Sequence, residues 1–265
     1  MIGNFRKAVR KQLEDRLIEH LPDSAPSQGR LLHQFCSQTV SLWRRLHRLH
    51  DPRLFTFFLR AITMQLPTAT NLLRGSARTD RTLECPLCRQ RSSSAHALSC
   101  PTMRRVILDR LRDVPTILTN IVEPLLAAPH LPSEDKFFLT LLPSTVQFYN
   151  PLCPPDALYF GGYNWNHTTY RVALQTIDSA ERYPSMLGII PPALRSLLSP
   201  SLTQCGFADH QQKAIREQQE RGWEQLQLHL LRASHCIFRR WRHLCRAAYT
   251  KRGSPASDTL QGFAN

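Results

Sequence analysis

The 265-residue chain lacks several features that define common classes of protein. No stretch approaches the roughly 18 to 20 apolar residues that cross a bilayer, so we expect no membrane association. Residues Met1 to His20 are charged throughout and have no apolar core of signal-peptide length. Eight cysteines are too few for a disulfide scaffold in this length. We therefore expect a reducing compartment, nuclear or cytoplasmic.

The sequence motifs of common enzymes are also missing. There is no G-x-x-x-x-G-K-[ST], G-x-S-x-G or H-E-x-x-H segment. Phe207 to His210 reads Phe-Ala-Asp-His, which lacks the second carboxylate that two-metal polymerase chemistry needs. The adjacent acidic pair Glu134-Asp135 fits the first turn of a helix. We expect no catalytic residue and no enzymatic activity from this chain alone.

Acidic residues are scarce beside basic ones. The chain has 20 Asp and Glu against 34 Lys and Arg, which gives a formal net charge of +14. Most of the basic residues are arginines, whose guanidinium forks match phosphate oxygens and displace condensed counterions. The balance favours RNA or DNA as a partner. A solvated basic surface without such a partner is the alternative.

Hydrophobic periodicity predicts a mainly α protein. A stripe from Leu32 to Leu49 indicates one helix, which the Asp-Pro pair that follows should end. Leu54 to Leu66 is apolar on nearly every face, so we expect it to be the central buried helix. Within it we place Phe55, Phe58 and Leu59 in the core.

The C-terminal part predicts the longest element. Asp209 can cap a helix that runs to about Tyr249, with Trp241 on its apolar stripe. Its other side carries Arg232, Arg239, Arg240, Arg242 and Arg246. The pairs His235-Cys236 and His243-Cys245 would lie about 12 Å apart on this helix, which is too far for one ion. We expect no second metal site there.

These patterns divide the chain into five segments. They are an N-terminal helix and linker (1–30), a helical segment with a metal-binding motif (31–114), a helical and irregular middle region (115–205), a long basic amphipathic helix (206–250) and a flexible tail (251–265). In the middle region, Ser133 is a candidate N-cap.

A metal-binding motif is the most specific pattern in the chain. Cys85, Cys88, His96 and Cys100 follow the spacing C-x2-C-x7-H-x3-C. Zn²⁺ prefers four tetrahedral ligands drawn from thiolates and imidazoles, and a C-x2-C pair typically begins such a site. His96 and Cys100 are four residues apart, so one helical turn would place both on one face. The pattern predicts a closed structural zinc site in which the polar run from Arg89 forms a loop across the metal.

The order of features around this motif resembles a known family. Trp43 is followed by Phe58-Leu59-Arg60, then by Leu-Pro-Thr-x-x-Asn-Leu from Leu66, then by Cys-Pro-Leu-Cys and by Cys100-Pro101. This is similar to the zinc-binding module that follows the polymerase domain in non-LTR retrotransposon reverse transcriptases. The family often has an acidic residue shortly before the histidine, where this chain has Ser92 to Ser94. The likeness covers about a quarter of the chain.

The resemblance implies a C-terminal piece of a retroelement polyprotein that helps to grip RNA or DNA. Other retroelement proteins are further possible partners. We expect phosphate contacts from Arg74, Arg78, Arg81, Arg89, Arg91, Arg104 and Arg105 around the zinc, and from Arg239, Arg240 and Arg242 on the last helix. The alternative is a zinc-stabilised helical scaffold that binds a protein and no nucleic acid.

Overall fold

A computed structural model describes residues 36–69, 84–146, 148–152, 182–191, 194–195 and 205–251. In these segments the chain is mainly helical, as the periodicity predicts, and the one β feature is an isolated bridge between Glu84 and Arg91. The helices are α1 (Cys36–Arg48), α2 (Pro52–Ile62), α3 (Ser94–Ser99), α4 (Arg104–Leu111), α5 (Val114–Leu126), α6 (Ser133–Thr145), α7 (Arg182–Met186) and α8 (Asp209–Lys251). The predicted N-terminal helix and almost all of the predicted tail lie outside the described residues.

Helix α2 begins at a well-formed cap. The Asp51 carboxylate accepts hydrogen bonds from the backbone N–H groups of Arg53 (3.1 Å) and Leu54 (3.0 Å), and Pro52 occupies the first turn. This arrangement satisfies two amides that the helix itself leaves without partners. At the other end, Met64 adopts a φ of 56°, so the helix stops before Leu66.

The buried face of α2 differs from the prediction. Leu54, Phe57, Phe58 and Ala61 face the core, whereas Leu59 is 37% exposed. Phe55 is only partly buried and packs beside Trp43 of α1, with 6.2 Å between ring centroids. A short helix that packs on one side has solvent on the other, even where its side chains are apolar. Leu49 is likewise exposed because α1 ends at Arg48.

The central helix of the described structure is α8. It packs against α5, α3, α4, α7 and α2, and it buries Leu226, Leu230, Ile237 and Trp241. Gly222 lies where α8 meets α5, and a Cβ atom there would come within 2.5 Å of the Ile121 side chain. The close approach of the two helices accounts for a glycine inside so long a helix. The prediction that the Leu54–Leu66 segment is central was therefore wrong.

The middle of the chain contributes a helical hairpin of α5 and α6. Val114 and Pro115 begin α5, where proline suits the first turn. Helix α6 begins at Ser133 itself, and the residue in the capping position is Pro132. Ser133 is therefore not the N-cap that the sequence suggested. Glu134 and Asp135 lie in the first turn of α6, as expected for acidic residues near a helix N-terminus.

Two side-chain hydrogen bonds join α7 to the larger helices. The Tyr183 hydroxyl donates to the backbone carbonyl of Ala61 in α2 (2.7 Å). The buried Ser234 hydroxyl of α8 donates to the carbonyl of Met186 (2.7 Å). Both carbonyls lie near a helix end, where backbone acceptors need outside donors. Among the described residues, no helix combines the length and apolar character needed to span a membrane.

Candidate metal centre

The four residues of the predicted motif come together in the structure. The ligand atoms of Cys85, Cys88, His96 and Cys100 all lie within 4.8 Å of one another. Three of the four residues are buried, and Cys88 is partly exposed. They form the one such group of His, Cys and acidic residues in the described part of the chain.

A tight turn presents the first two sulfurs. The Cys85 amide donates to the carbonyl of Gln90 (2.7 Å), and the Arg89 amide donates to the carbonyl of Cys85 (2.8 Å). Arg89 adopts a φ of 63°, the left-handed conformation that lets the backbone reverse within so few residues. The bridge between Glu84 and Arg91 closes the turn from outside. The Cys-Pro-Leu-Cys segment is thereby folded so that both thiols face the same point.

A short helix presents the other two donors. Ser93 caps α3 by accepting a hydrogen bond from the His96 amide (3.1 Å), and Cys100 follows the last residue of that helix. The ring nitrogen Nε2 of His96 lies 3.3 Å from the Cys88 sulfur. The helical turn expected between His96 and Cys100 is therefore present. Helix α3 begins at Ser94, so the loop that starts at Arg89 is shorter than predicted.

The three serines that precede Ala95 and His96 make structural hydrogen bonds. Besides the Ser93 cap, the Ser94 hydroxyl donates to the carbonyl of Met64 (2.9 Å), just beyond α2. The Ser92 hydroxyl accepts a hydrogen bond from the Ala69 amide (3.3 Å). These contacts hold α3 against the segment that follows α2. The hydrogen bond from the His96 amide to Ser93 also fixes the backbone from which the imidazole extends.

The distances between donors fit a tetrahedral ion. Cys85 and Cys100 sulfurs are 3.9 Å apart, Cys88 and Cys100 sulfurs 3.7 Å, and the Cys88 sulfur and His96 Nε2 3.3 Å. With Zn–S near 2.3 Å and Zn–N near 2.0 Å, the edges of a tetrahedral site are about 3.5 to 3.8 Å. Disulfide bonding would instead bring two sulfurs to about 2.0 Å. The group can hold a metal ion such as zinc.

A fifth thiol reaches the cluster from α8. Helix α8 packs against α3, and its fully buried Cys245 lies close enough to Cys85 for the two thiols to influence each other's pKa. It occupies the same helical phase as Ile237 and Trp241, at intervals of four residues along the buried side of α8. Spacing within the chain cannot reveal this neighbour, because 160 residues of sequence separate the two cysteines. The sequence does show that Cys245 lies on the buried side of the helix, because it follows Ile237 and Trp241 at four-residue intervals.

The thiols polarise one another. The pKa of Cys85 is lowered because Cys100, and then Cys245, donate hydrogen bonds to its sulfur, which outweighs the effect of burial. Burial raises the pKa of the Cys88 thiol. The pKa values of Cys100 and Cys245 are raised, since each thiol acts mainly as a donor to Cys85.

The arginines expected to contact phosphates are distributed over several surfaces. Arg89 and Arg91 on the metal turn, and Arg104 and Arg105 at the start of α4, are all exposed. On α8, Arg239 and Arg240 are exposed and Arg242 is partly buried. Arg74, Arg78 and Arg81 lie outside the described residues. Arg53 and Arg60 of α2, which are not among the predicted phosphate contacts, are exposed as well, and the charge of Arg60 acts on Arg242.

No protein-family model matches the chain, and its comparison with curated proteins and with solved structures gives no significant match. The likeness to the reverse transcriptase module is therefore carried by the sequence motifs alone. The structure adds a helical chain with a Cys3His group at the motif's four positions.

We expect the purified protein to contain about one zinc per chain and Cys88→Ser to lose it. Serine cannot supply the thiolate that such a site requires. Elemental mass spectrometry after gel filtration gives the stoichiometry. The matched control is Cys236→Ser, because Cys236 is an exposed cysteine of α8 and should leave the zinc content unchanged. Equal zinc in both variants would contradict the assignment of Cys88 as a ligand.

We expect Cys245→Ala to retain zinc but bind it about 10- to 100-fold more weakly, as when a partner of a metal ligand is removed. Cys245→Ser keeps a hydroxyl donor toward Cys85 and should lose less affinity. Competition with a chromophoric chelator measures both. Complete loss of zinc from Cys245→Ala would identify Cys245 as a ligand, and unchanged affinity would show that its contact with Cys85 has no effect on the metal.

Proposed function

We propose that this chain is a zinc-stabilised module that binds nucleic acid through arginines positioned by the metal centre. Zinc is the proposed ion because three sulfurs and one imidazole nitrogen are its usual donors in closed structural sites. In this proposal the ion is structural, since four protein ligands leave no open position for a substrate. The chain then has no catalytic role of its own.

The observation that carries the proposal is the contact between the metal cluster and α8. Helix α3 packs against α8, Cys245 of α8 lies close enough to Cys85 to act on its pKa, and Arg242 and Arg246 lie beside Cys245 on the same helix. Holding Cys85 in place therefore holds this basic turn of α8 in place. The metal turn itself adds exposed Arg89 and Arg91. A net charge of +14 supports a polyanionic partner.

The motifs shared with the reverse transcriptase module support the same proposal independently. In that family the module is thought to help hold RNA template or target DNA beside the polymerase. We propose that this chain is related to such elements, and that it has the nucleic-acid-binding function without the polymerase. Contacts made mainly to phosphates would give little sequence preference.

The full chain should bind unrelated nucleic acid sequences with similar affinity and a steep dependence on salt. Affinity should fall about 10³-fold or more between 50 and 200 mM NaCl if six or more phosphates are neutralised. Fluorescence anisotropy with labelled oligonucleotides of two unrelated sequences measures this. Cys88→Ser should bind more weakly than Cys236→Ser, although both replace one cysteine by serine and leave every arginine in place. Affinity that does not change with salt would overturn the proposal, as would preferential binding to an acidic protein.

A further inference from the structure

The charge of α8 changes sharply along its length. From Asp209 to Glu224 the helix has four acidic and three basic residues. From there to Lys251 it has six basic residues and no acidic one. Two of the acidic residues in the first part form ion pairs: Glu224 with Arg45 of α1, and Glu220 with Arg195 at 2.6 Å. The positive charge is thus concentrated in the second part.

Helix α2 brings more arginines to this second part of α8. The Phe57 ring stacks on His235 with 5.0 Å between centroids and lies 5.8 Å from Phe238. Arg53 and Arg60, which flank Phe57 along α2, are both exposed. Their charges act respectively on His235 and on Arg242, so both arginines of α2 lie near the second part of α8.

The two helices therefore share one surface, which we call the basic face. It consists of Arg53, Arg60, Arg239, Arg242 and Arg246. The pKa of Arg242 is lowered first by partial burial and then by Arg246, Arg239 and Arg60, which shows how closely the like charges are gathered. Among the charged groups that act on His235, Asp51 is acidic, and it raises the pKa of His235 against the effects of burial and the arginines.

Gathering like charges destabilises a fold unless a partner neutralises them. The arginine side chains suit phosphates, which accept two parallel hydrogen bonds from one guanidinium. Arg239, Arg242 and Arg246 span about 10 Å of helix axis at 1.5 Å per residue. One strand of a duplex presents one phosphate per about 3.4 Å of its axis, so a helix that lies along that axis would meet about three phosphates over this length.

The aromatic residues beneath the face decide between double and single strands. Phe57, Phe238 and Trp241 are 4%, 5% and 1% exposed, so their rings pack into the core. Proteins that hold single strands stack bases on exposed aromatic rings. This face offers guanidinium groups without such rings. A bilayer is disfavoured for a related reason: the apolar side of α8 is already buried against the other helices.

We propose that the basic face binds the phosphate backbone of a double-stranded nucleic acid. The inference rests on the proposed function, and it specifies both the surface and the form of the ligand. Because the contacts are to backbone, the duplex is held without reading its bases. The metal centre lies next to the face through Cys245, so zinc fixes its C-terminal end.

The test replaces three exposed arginines of the face, as the triple variant Arg53→Gln, Arg60→Gln and Arg239→Gln. The control triple replaces Lys213, Arg216 and Arg221, which are exposed on the first part of α8, with Gln. Both variants lose three positive charges, so any difference reports position. Zinc content of both should equal that of the unaltered full chain, and neither variant should unfold at a lower temperature than that chain.

Binding is measured by anisotropy with a labelled 20-base-pair duplex and with its single strand, from 50 to 200 mM NaCl. We expect the face variant to bind the duplex about tenfold or more weakly and to reduce the salt slope by about three. The control should stay within about threefold of the unaltered chain. The unaltered chain should prefer the duplex to the single strand.

Other results separate this inference from the proposed function. Equal losses in both triples, or a single strand bound more tightly than the duplex, would overturn the inference while nucleic-acid binding stands. Displacement of the duplex by poly-glutamate at equal charge concentration would assign the face to an acidic protein and also overturn it. A chain that binds neither form of nucleic acid would overturn both.

Discussion

The arrangement of one small group of metal-competent donors is the constraint on which, in our account, the rest of this structure depends. Two sulfurs come from a tight turn and the other two donors from the short helix α3 and the residue after it. Neither piece is long enough to be stable in isolation. In our account, a zinc ion bound by Cys85, Cys88, His96 and Cys100 supplies the missing free energy, since coordination in such sites is coupled to folding.

Cys245 extends that constraint to the longest helix. Its contact with Cys85 places the metal centre against α8 near the helix C-terminal end, while Gly222 lets α5 approach the helix closely near its middle. The 43-residue helix α8 is therefore held both at Cys245 and at Gly222. Cys245 lies among the arginines of α8, so the candidate metal centre and the charged surface are close to each other. A ligand that binds the arginines would accordingly stabilise the metal-loaded fold.

Local pattern was sufficient for the helical class, the grouping of the four metal-competent residues and the buried stripe of α8, because each depends on spacing over a short stretch of sequence. It failed where packing decides. Leu59 and Phe55 looked like core residues, but α2 uses the face of Phe57 and Phe58, and only the position of α8 determines that choice. The proximity of Cys245 to Cys85, and of Arg60 to Arg242, was not predicted for the same reason. Tertiary contacts bring these residues together from distant parts of the sequence.

The most direct measurement of the central claim is zinc K-edge X-ray absorption on the purified full chain. The account predicts three sulfurs at about 2.3 Å and one nitrogen at about 2.0 to 2.1 Å around a single zinc ion. A shell of four sulfurs would contradict it by making Cys245 a ligand in place of His96. A shell of oxygen and nitrogen atoms, or well-folded protein without zinc, would show that the four residues do not form a metal centre.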